Sequence, residues 1–142
     1  MDQEVIGRLE RSFKALAPKG QELVDRFYAK LFGNHPQVRS MFPQDMAEQK
    51  NMLLAALELV VRNLRTPQRL AAPLREMGRR HSGYGVQPEH YPAVRDTLVS
   101  VMAELAGPIW TDELDRDWRS AIDWVGSVML EGAAATVPAG CP

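Results

Sequence analysis

Cysteine is almost absent from this chain of 142 residues, because Cys141, next to the C-terminus, stands alone. A single cysteine excludes an intrachain disulfide and agrees with a reducing compartment. Long apolar runs are also missing, so no stretch can cross a bilayer. The opening residues, MDQEVIGRLERSF, mix acidic and basic side chains and lack the apolar centre of a secretory signal peptide. We therefore expect a cytoplasmic protein that does not contact a membrane.

Excess charge is missing as well, since the formal net charge is -1 at pH 7. This balance gives no indication of a nucleic-acid partner. The hydrophobic fraction of 45% and the charged fraction of 25% are ordinary for a globular protein. The length fits one domain with a core and a cofactor pocket. We predict this domain over residues 1–132, followed by a flexible tail of small residues and prolines over residues 133–142.

Sustained strand alternation is absent, and apolar residues recur instead at helical spacing. Prolines and glycines divide the pattern into seven or eight helices, which makes the predicted fold all-α. The expected helices cover about residues 3–17, 19–32, 36–41, 45–64, 66–82, 88–105 and 111–132. Their lengths are uneven and their breaks are frequent, unlike those of a simple four-helix bundle. Such a pattern is typical of a helical fold that wraps around something.

Several helix ends carry specific signals. Asp45, with Glu48 three residues later, resembles a capping box. Thr66 precedes a proline, so we expect it to be an N-cap residue. Pro73 predicts an irregular start to the helix that follows. Thr111 is expected to cap the last helix.

His81 is the first candidate for chemistry, because it extends the apolar stripe of its helix. A buried imidazole needs a partner at each ring nitrogen. Hydrogen bonding within the core is one solution and metal ligation is another; spacing alone favours the former. No second histidine or cysteine lies three or four residues away, which excludes a helical zinc site. A lone ligand is sufficient for haem, whose porphyrin supplies four other donors.

Tyr28 and Gln49 are further candidates, each beside the apolar stripe of its helix. Taken alone, Tyr28 is best interpreted as a tyrosine at the core edge and Gln49 as helix surface. Arg79 and Arg80 precede His81 and are either ordinary surface charges or groups that bind carboxylates.

Two strings resemble a known family. RFYAKLFGNHPQVRSMF is similar to the second and third helices of globins, in particular bacterial flavohaemoglobins and related single-domain bacterial globins. GRRHSGYGVQPEHYPAV is similar to their proximal helix and the turn after it. The spacing of Tyr28, Phe42, Gln49 and His81 also agrees. The resemblance extends from about residue 20 to about residue 130.

The resemblance implies a globin fold around one haem b, with His81 as the proximal iron ligand. It implies that Phe42 packs flat on the haem and that Tyr28 and Gln49 form a distal polar pair. Arg80 then becomes a candidate contact for the cofactor. The remaining haem-contacting side chains that it implies are Leu53 on the distal side, Tyr91 near the proximal histidine, and Val86, Val94 and Leu98.

Two departures from the flavohaemoglobin pattern bear on activity. We expect the chain to lack the flavin- and nicotinamide-binding reductase domain, and therefore expect any reduction to need an external reductase. The glutamate that pairs with the proximal histidine in flavohaemoglobins aligns near Ala135, and Glu131 lies about one turn earlier. The other histidines, His35 and His90, lie outside the long distal helix, so we do not expect a second imidazole on the iron.

The resemblance therefore implies a protein that binds diatomic gases. Reversible dioxygen binding, for storage, scavenging or oxygen transport, is the leading expectation. Nitric oxide dioxygenation, a detoxification reaction that gives nitrate, is the alternative and needs a separate reductase. Gas sensing is less favoured, because no transmitter domain accompanies the helices.

Overall fold

The computed structural model describes residues 2–135, and in that range it holds six α-helices, four 3-10 turns and no strand. The all-α prediction is confirmed. The helices are α1 (Gln3–Leu16), α2 (Gly20–Asn34), α3 (Ala47–Arg62), α4 (Ala71–Gly83), α5 (His90–Ala106) and α6 (Asp112–Ala135). The 3-10 turns cover Ala17–Lys19, Pro36–Met41, Pro67–Arg69 and Gly107–Ile109. The α-helices number fewer than the predicted seven or eight because the short helix expected at residues 36–41 is a 3-10 turn.

The four helix-end predictions had different outcomes. Thr111 Oγ1 accepts a hydrogen bond from Leu114 N at 3.0 Å, as expected of a cap. The helix around Pro73 does begin irregularly, with a 3-10 turn before α4. The capping box was wrong, because Met46 and not Asp45 is the N-cap residue of α3, although Asp45 Oδ1 accepts from the N–H of Ala47, the first residue of the helix, at 3.0 Å. Thr66 is the N-cap residue of the 3-10 turn over Pro67–Arg69, as predicted, but its hydroxyl donates to Asn63 Oδ1 at 3.5 Å and makes no cap hydrogen bond.

The main core is formed by apolar faces of α1, α2, α3, α5 and α6. Trp118 of α6 is buried in it, and its indole N–H donates to Ser12 Oγ of α1 at 3.0 Å, which satisfies its polar atom. The side chains with the least exposure in this core are Leu9, Leu16, Leu23, Val24, Val99, Val101 and Met102.

A second, smaller cluster joins α4 to α6. Leu70 and Leu74 pack there with Val128, and Met77 and Met129 are partly buried against them. The helix that carries His81 thus packs in the small cluster, whereas α2, which carries Tyr28, packs in the main core. The helix that carries Gln49, α3, contacts both clusters, since its Leu59 and Val60 pack against the small one.

The last helix continues through Ala135, beyond the predicted domain boundary at residue 132. Residues 136–142 of the predicted tail lie outside the described residues, so a flexible tail remains a prediction. Within residues 2–135, no helix combines the length and the hydropathy needed to cross a membrane.

Candidate functional site

His81 lies in the last turn of α4 and is half-buried. Its ring Nδ1 is 2.6 Å from the carbonyl oxygen of Met77, one turn earlier. A carbonyl can only accept, so Nδ1 is the donor in this bond, and in the neutral ring Nε2 then keeps its lone pair. A backbone partner on one ring nitrogen is the usual way to fix the tautomer of a metal-binding histidine.

The turn after α4 is held close to His81. Val86 N donates to the His81 carbonyl oxygen at 3.0 Å, and Tyr84 N donates to that of Arg80 at 3.2 Å. Gly85 adopts φ +89°, a left-handed conformation that glycine accepts without strain. Val86 is therefore brought back toward His81, where it remains half-buried.

Backbone contact fixes α4 against α6. A Cβ added at Gly78 would lie 1.7 Å from the Met129 carbonyl oxygen, and one added at Gly132 would lie 1.9 Å from that of Arg75. Real Cβ atoms do not approach so closely, so these two positions accept only glycine while the helices keep this distance. Because Gly78 lies one turn before His81, the contact fixes the backbone that carries the imidazole.

Tyr28 and Gln49 meet on the other side of the site. Gln49 Nε2 donates to Tyr28 Oη at 3.3 Å and joins α3 to α2. The hydroxyl that accepts this bond retains its own proton for a second hydrogen bond. Tyr28 is 5% exposed, and this burial raises the pKa of its phenol above the ordinary value of 10.0, although the bond from Gln49 acts in the opposite direction. The phenol is thus a neutral donor at physiological pH.

An aromatic layer surrounds Tyr28. The Phe42 ring packs edge-on against Tyr28, with 5.6 Å between ring centroids and 72° between planes. Phe27 makes a similar contact at 4.9 Å, and Phe32 touches both Tyr28 and Phe42. Edge-to-face packing of this kind is favourable and directional, so the rings set one another's orientation.

The remaining apolar candidates differ in exposure. Leu53 and Val94 are half-buried against the main core, whereas Leu98 is 3% exposed and lies inside it. Tyr91 is half-buried on α5, and burial raises the pKa of its phenol. A Cβ at Gly126 of α6 would lie 3.1 Å from Tyr91 Cδ2, so the ring packs directly on that glycine.

Two charged candidates have surface partners. Arg80 lies at the surface with its Nε 3.8 Å from Glu76 Oε1. Glu131 accepts hydrogen bonds from Arg75 Nε at 3.2 Å and Nη2 at 3.1 Å, and both side chains are more than half exposed. In this arrangement Glu131 is engaged with Arg75, while the Nδ1 partner of His81 is a backbone carbonyl. The side chain of Ala135 lies outside the described part of the chain.

The donor set suits a cofactor that needs one protein ligand. His81 offers a single imidazole with a free Nε2, and no group of three or more His, Cys, Asp or Glu side chains among residues 2–135 could hold an ion. Apolar side chains that are only half-buried accompany it, namely Phe42, Leu53, Val86 and Val94. An apolar ring system that carries its own metal donors fits both features.

Sequence reasoning missed three residues that shape the site. Gly78 and Gly132 carry a signal that could have been used, because an isolated glycine within a helical pattern is costly and suggests close packing. Arg39, which bonds the segment after Phe42, carries no such signal. Its partners are backbone carbonyls whose position depends on the folded turn.

Comparison with known proteins identifies relatives over this same region. The family model described as Globin matches residues 25–129. The flavohemoprotein of Rhizobium meliloti is 32% identical over 109 residues, which cover 75% of this chain and 27% of that protein. The flavohemoprotein of Xylella fastidiosa is 31% identical over 134 residues, or 91% of this chain and 33% of the relative. The chain thus spans about a third of the length of these curated relatives or less.

Two solved structures share the fold. An engineered carbene transferase, made from a Rhodothermus marinus protein proposed to be a nitric oxide dioxygenase, superposes with a TM-score of 0.86. It is 27% identical, and the match covers 96% of this chain and 95% of that one. A bacterial globin from Campylobacter jejuni gives a TM-score of 0.85 at 22% identity, with 95% and 98% of the two chains covered.

Proposed function

This chain belongs to the globin family, and we propose that it binds one haem b through His81. The observation that carries the proposal is the bond between His81 Nδ1 and the Met77 carbonyl, which leaves Nε2 as a ligand. The similarity to flavohemoproteins supports the same cofactor. Haem iron held by His81 would supply the site at which diatomic gases bind.

The two apolar clusters also favour a haem. Met77, next to the His81 turn, packs in the small cluster, while Phe42, Leu53 and Val94 pack against the main core. A haem that touched both sets would bury side chains that are now half-exposed, and it would stabilise the fold by linkage.

A haem titration tests this proposal. We expect the wild-type chain to take up one haem with a Soret band, and His81→Ala to lose that band or hold haem far more weakly. His90→Ala is the matched control, since His90 Nδ1 already accepts a hydrogen bond from Gln87 N at 2.9 Å in the turn before α5. A full Soret band with wild-type affinity in His81→Ala would remove His81 as the ligand.

We further propose reversible dioxygen binding, with Tyr28 and Gln49 as the distal pair. Gln49 donates to Tyr28, which holds the phenol in place and frees its proton for the ligand. A hydrogen bond to a charged acceptor contributes roughly 1.5–3 kcal/mol to the free energy of binding. That corresponds to roughly ten- to a hundredfold in affinity, expressed mainly as slow release.

Nitric oxide dioxygenation is the second candidate. The similarity to flavohemoproteins and to the proposed nitric oxide dioxygenase of Rhodothermus marinus favours it. The same phenol would orient dioxygen for the reaction that gives nitrate, and an external reductase would supply the electrons. The 142 residues of this chain cover only the globin portion of such relatives.

Turnover separates the two candidates. The haem-loaded chain is mixed with a generic reductase, NADH and dioxygen, and nitric oxide consumption is followed with an electrode. Consumption of many equivalents of nitric oxide per haem would support the dioxygenase, whereas a stop after one equivalent would favour dioxygen storage or delivery. Tyr28→Phe provides the control for the distal contribution.

A further inference from the structure

Arg39 lies in the 3-10 turn over Pro36–Met41 and bonds the segment that follows it. Its Nη1 donates to the carbonyl oxygens of Phe42 at 3.3 Å and of Pro43 at 3.0 Å, and its Nη2 donates to that of Gln44 at 3.1 Å. In return, Phe42 N donates to the Arg39 carbonyl at 3.1 Å. One side chain thus satisfies successive carbonyls in a segment that belongs to no helix.

The same guanidinium also contacts the aromatic layer. Its central carbon lies 5.1 Å from the centroid of the Phe32 ring, a cation–π distance. The Phe32 ring lies 5.2 Å from that of Phe42 and 5.7 Å from that of Tyr28. Arg39 therefore links the backbone after Phe42 to the rings that surround the distal phenol.

The segment that Arg39 holds determines where α3 begins. It runs from Phe42 to the first residue of α3, Ala47, whose N–H donates to Asp45 Oδ1 within the same segment at 3.0 Å. Gln49 lies in the first turn of that helix and reaches Tyr28 across 3.3 Å. A shift of the segment would therefore move the Phe42 ring and the Gln49 amide together.

We propose that Arg39 is a positioning residue for the distal pocket, which fixes Phe42 and Gln49 without contacting the gaseous ligand. The role requires arginine, because the planar fork presents several donors at fixed angles while one of its faces lies over a ring. A lysine would keep the charge but concentrate its donors at one point. The inference rests on the proposed function, since Phe42 and Gln49 matter for ligand binding only if haem occupies the site.

The test uses three variants of the full chain: Arg39→Lys, Arg39→Gln and the control Arg26→Gln. Arg26 pairs with Glu22 and Glu104 at the surface of α2, so its loss removes a similar charge without touching the aromatic layer. Each variant is loaded with haem, reduced and bound to carbon monoxide. The C–O stretching frequency reports the polar surroundings of the ligand, and amide hydrogen exchange over residues 44–48 reports the segment itself.

We expect both Arg39 variants to shift or split the C–O stretching band and to exchange amides 44–48 faster. We also expect roughly tenfold faster haem loss to an apoglobin acceptor, as the loss of charge-assisted hydrogen bonds at a part-buried site implies. Arg26→Gln should match the wild type in all three measurements, and lysine should not rescue. General destabilisation would change haem loss in every variant but would leave the C–O band in place.

Wild-type behaviour of Arg39→Lys in all three measurements would overturn the proposal, because charge alone would then be sufficient. An unshifted C–O band in both Arg39 variants would overturn it as well. Failure of the proposed function looks different: the wild type would take up no haem and give no band. Exchange over residues 44–48, measured on the haem-free chain, would still report whether Arg39 holds the segment.

Discussion

On the proximal side of the proposed haem site α4 meets α6 through backbone atoms, whereas on the distal side α2 meets α3 through side chains. Gly78 leaves no space for a methyl group next to the Met129 carbonyl. Tyr28 and Gln49, by contrast, connect their helices by one hydrogen bond of 3.3 Å. Backbone contact cannot adjust without moving a helix, but side chains can change rotamer. The contact between α4 and α6 is therefore fixed, whereas the contact between Tyr28 and Gln49 can adjust.

The polar side chains on the two sides also differ in what orients them. The imidazole of His81 is oriented by a backbone carbonyl within its own helix. The phenol of Tyr28 is oriented by a side chain from another helix and by rings that pack edge-on. A change in helix position would therefore disturb Tyr28 more readily than His81.

The largest effect is expected from Gly78→Ala. The new methyl group would overlap the Met129 carbonyl, so α4 must move away from α6. We expect a loss of about 3 kcal/mol or more in the free energy of unfolding, measured by urea denaturation, and poorer haem retention. Gly33→Ala in α2 is the control, because nothing lies within 4 Å of its Cβ position, and it should stabilise by about 0.4–1 kcal/mol. Equal stability of the two variants would disprove fixed backbone contact.

A smaller effect is expected from Gly126→Ala. The added Cβ would lie 3.1 Å from Tyr91 Cδ2, and the ring can yield by a few tenths of an ångström. We expect a loss of about 1 kcal/mol in the free energy of unfolding, with Gly33→Ala again as control. If Gly126→Ala lost as much free energy of unfolding as Gly78→Ala, the side-chain contact between α5 and α6 would be as rigid as the backbone contact between α4 and α6.

The smallest effect is expected from Asp25→Asn on the distal side. Lys50 Nζ lies 3.0 Å from Asp25 Oδ1, and this hydrogen bond lowers the pKa of Asp25 below its ordinary value of 3.8. Because the folded-state pKa is lowered, the pair stabilises the fold above pH 3.8 and loses that contribution as the pH falls through the lowered pKa. We expect about 0.2–1 kcal/mol at pH 7, since both groups are partly exposed. A difference that persisted in strong acid would contradict the ion-pair explanation.

Local signals predicted most of the helices because a proline or glycine lies at or next to several of the helix ends. α1 ends at Leu16, two residues before Pro18, and α5 ends directly before Gly107. Helix caps were harder to predict, since the carboxylate of an Asp such as Asp45 can accept a backbone hydrogen bond in a local turn as well as at a helix terminus.

The pair of Tyr28 and Gln49 could be proposed from sequence only through the family resemblance, because the residues are 21 positions apart and lie on different helices. The isolated Gly78 indicates close packing, but neither its partner on α6 nor the role of Arg39 could be predicted. Each depends on the distance between elements that become neighbours only in the folded chain.

The dioxygen dissociation rate of Tyr28→Phe, beside that of the wild type, tests the central claim most directly. The substitution keeps the ring in its aromatic layer and removes only the hydroxyl that Gln49 contacts. We predict release that is roughly ten- to a hundredfold faster, and a wild-type rate that stays constant between about pH 6 and pH 9, because burial raises the pKa of the phenol. An unchanged rate in Tyr28→Phe would contradict the role of the distal pair in holding dioxygen.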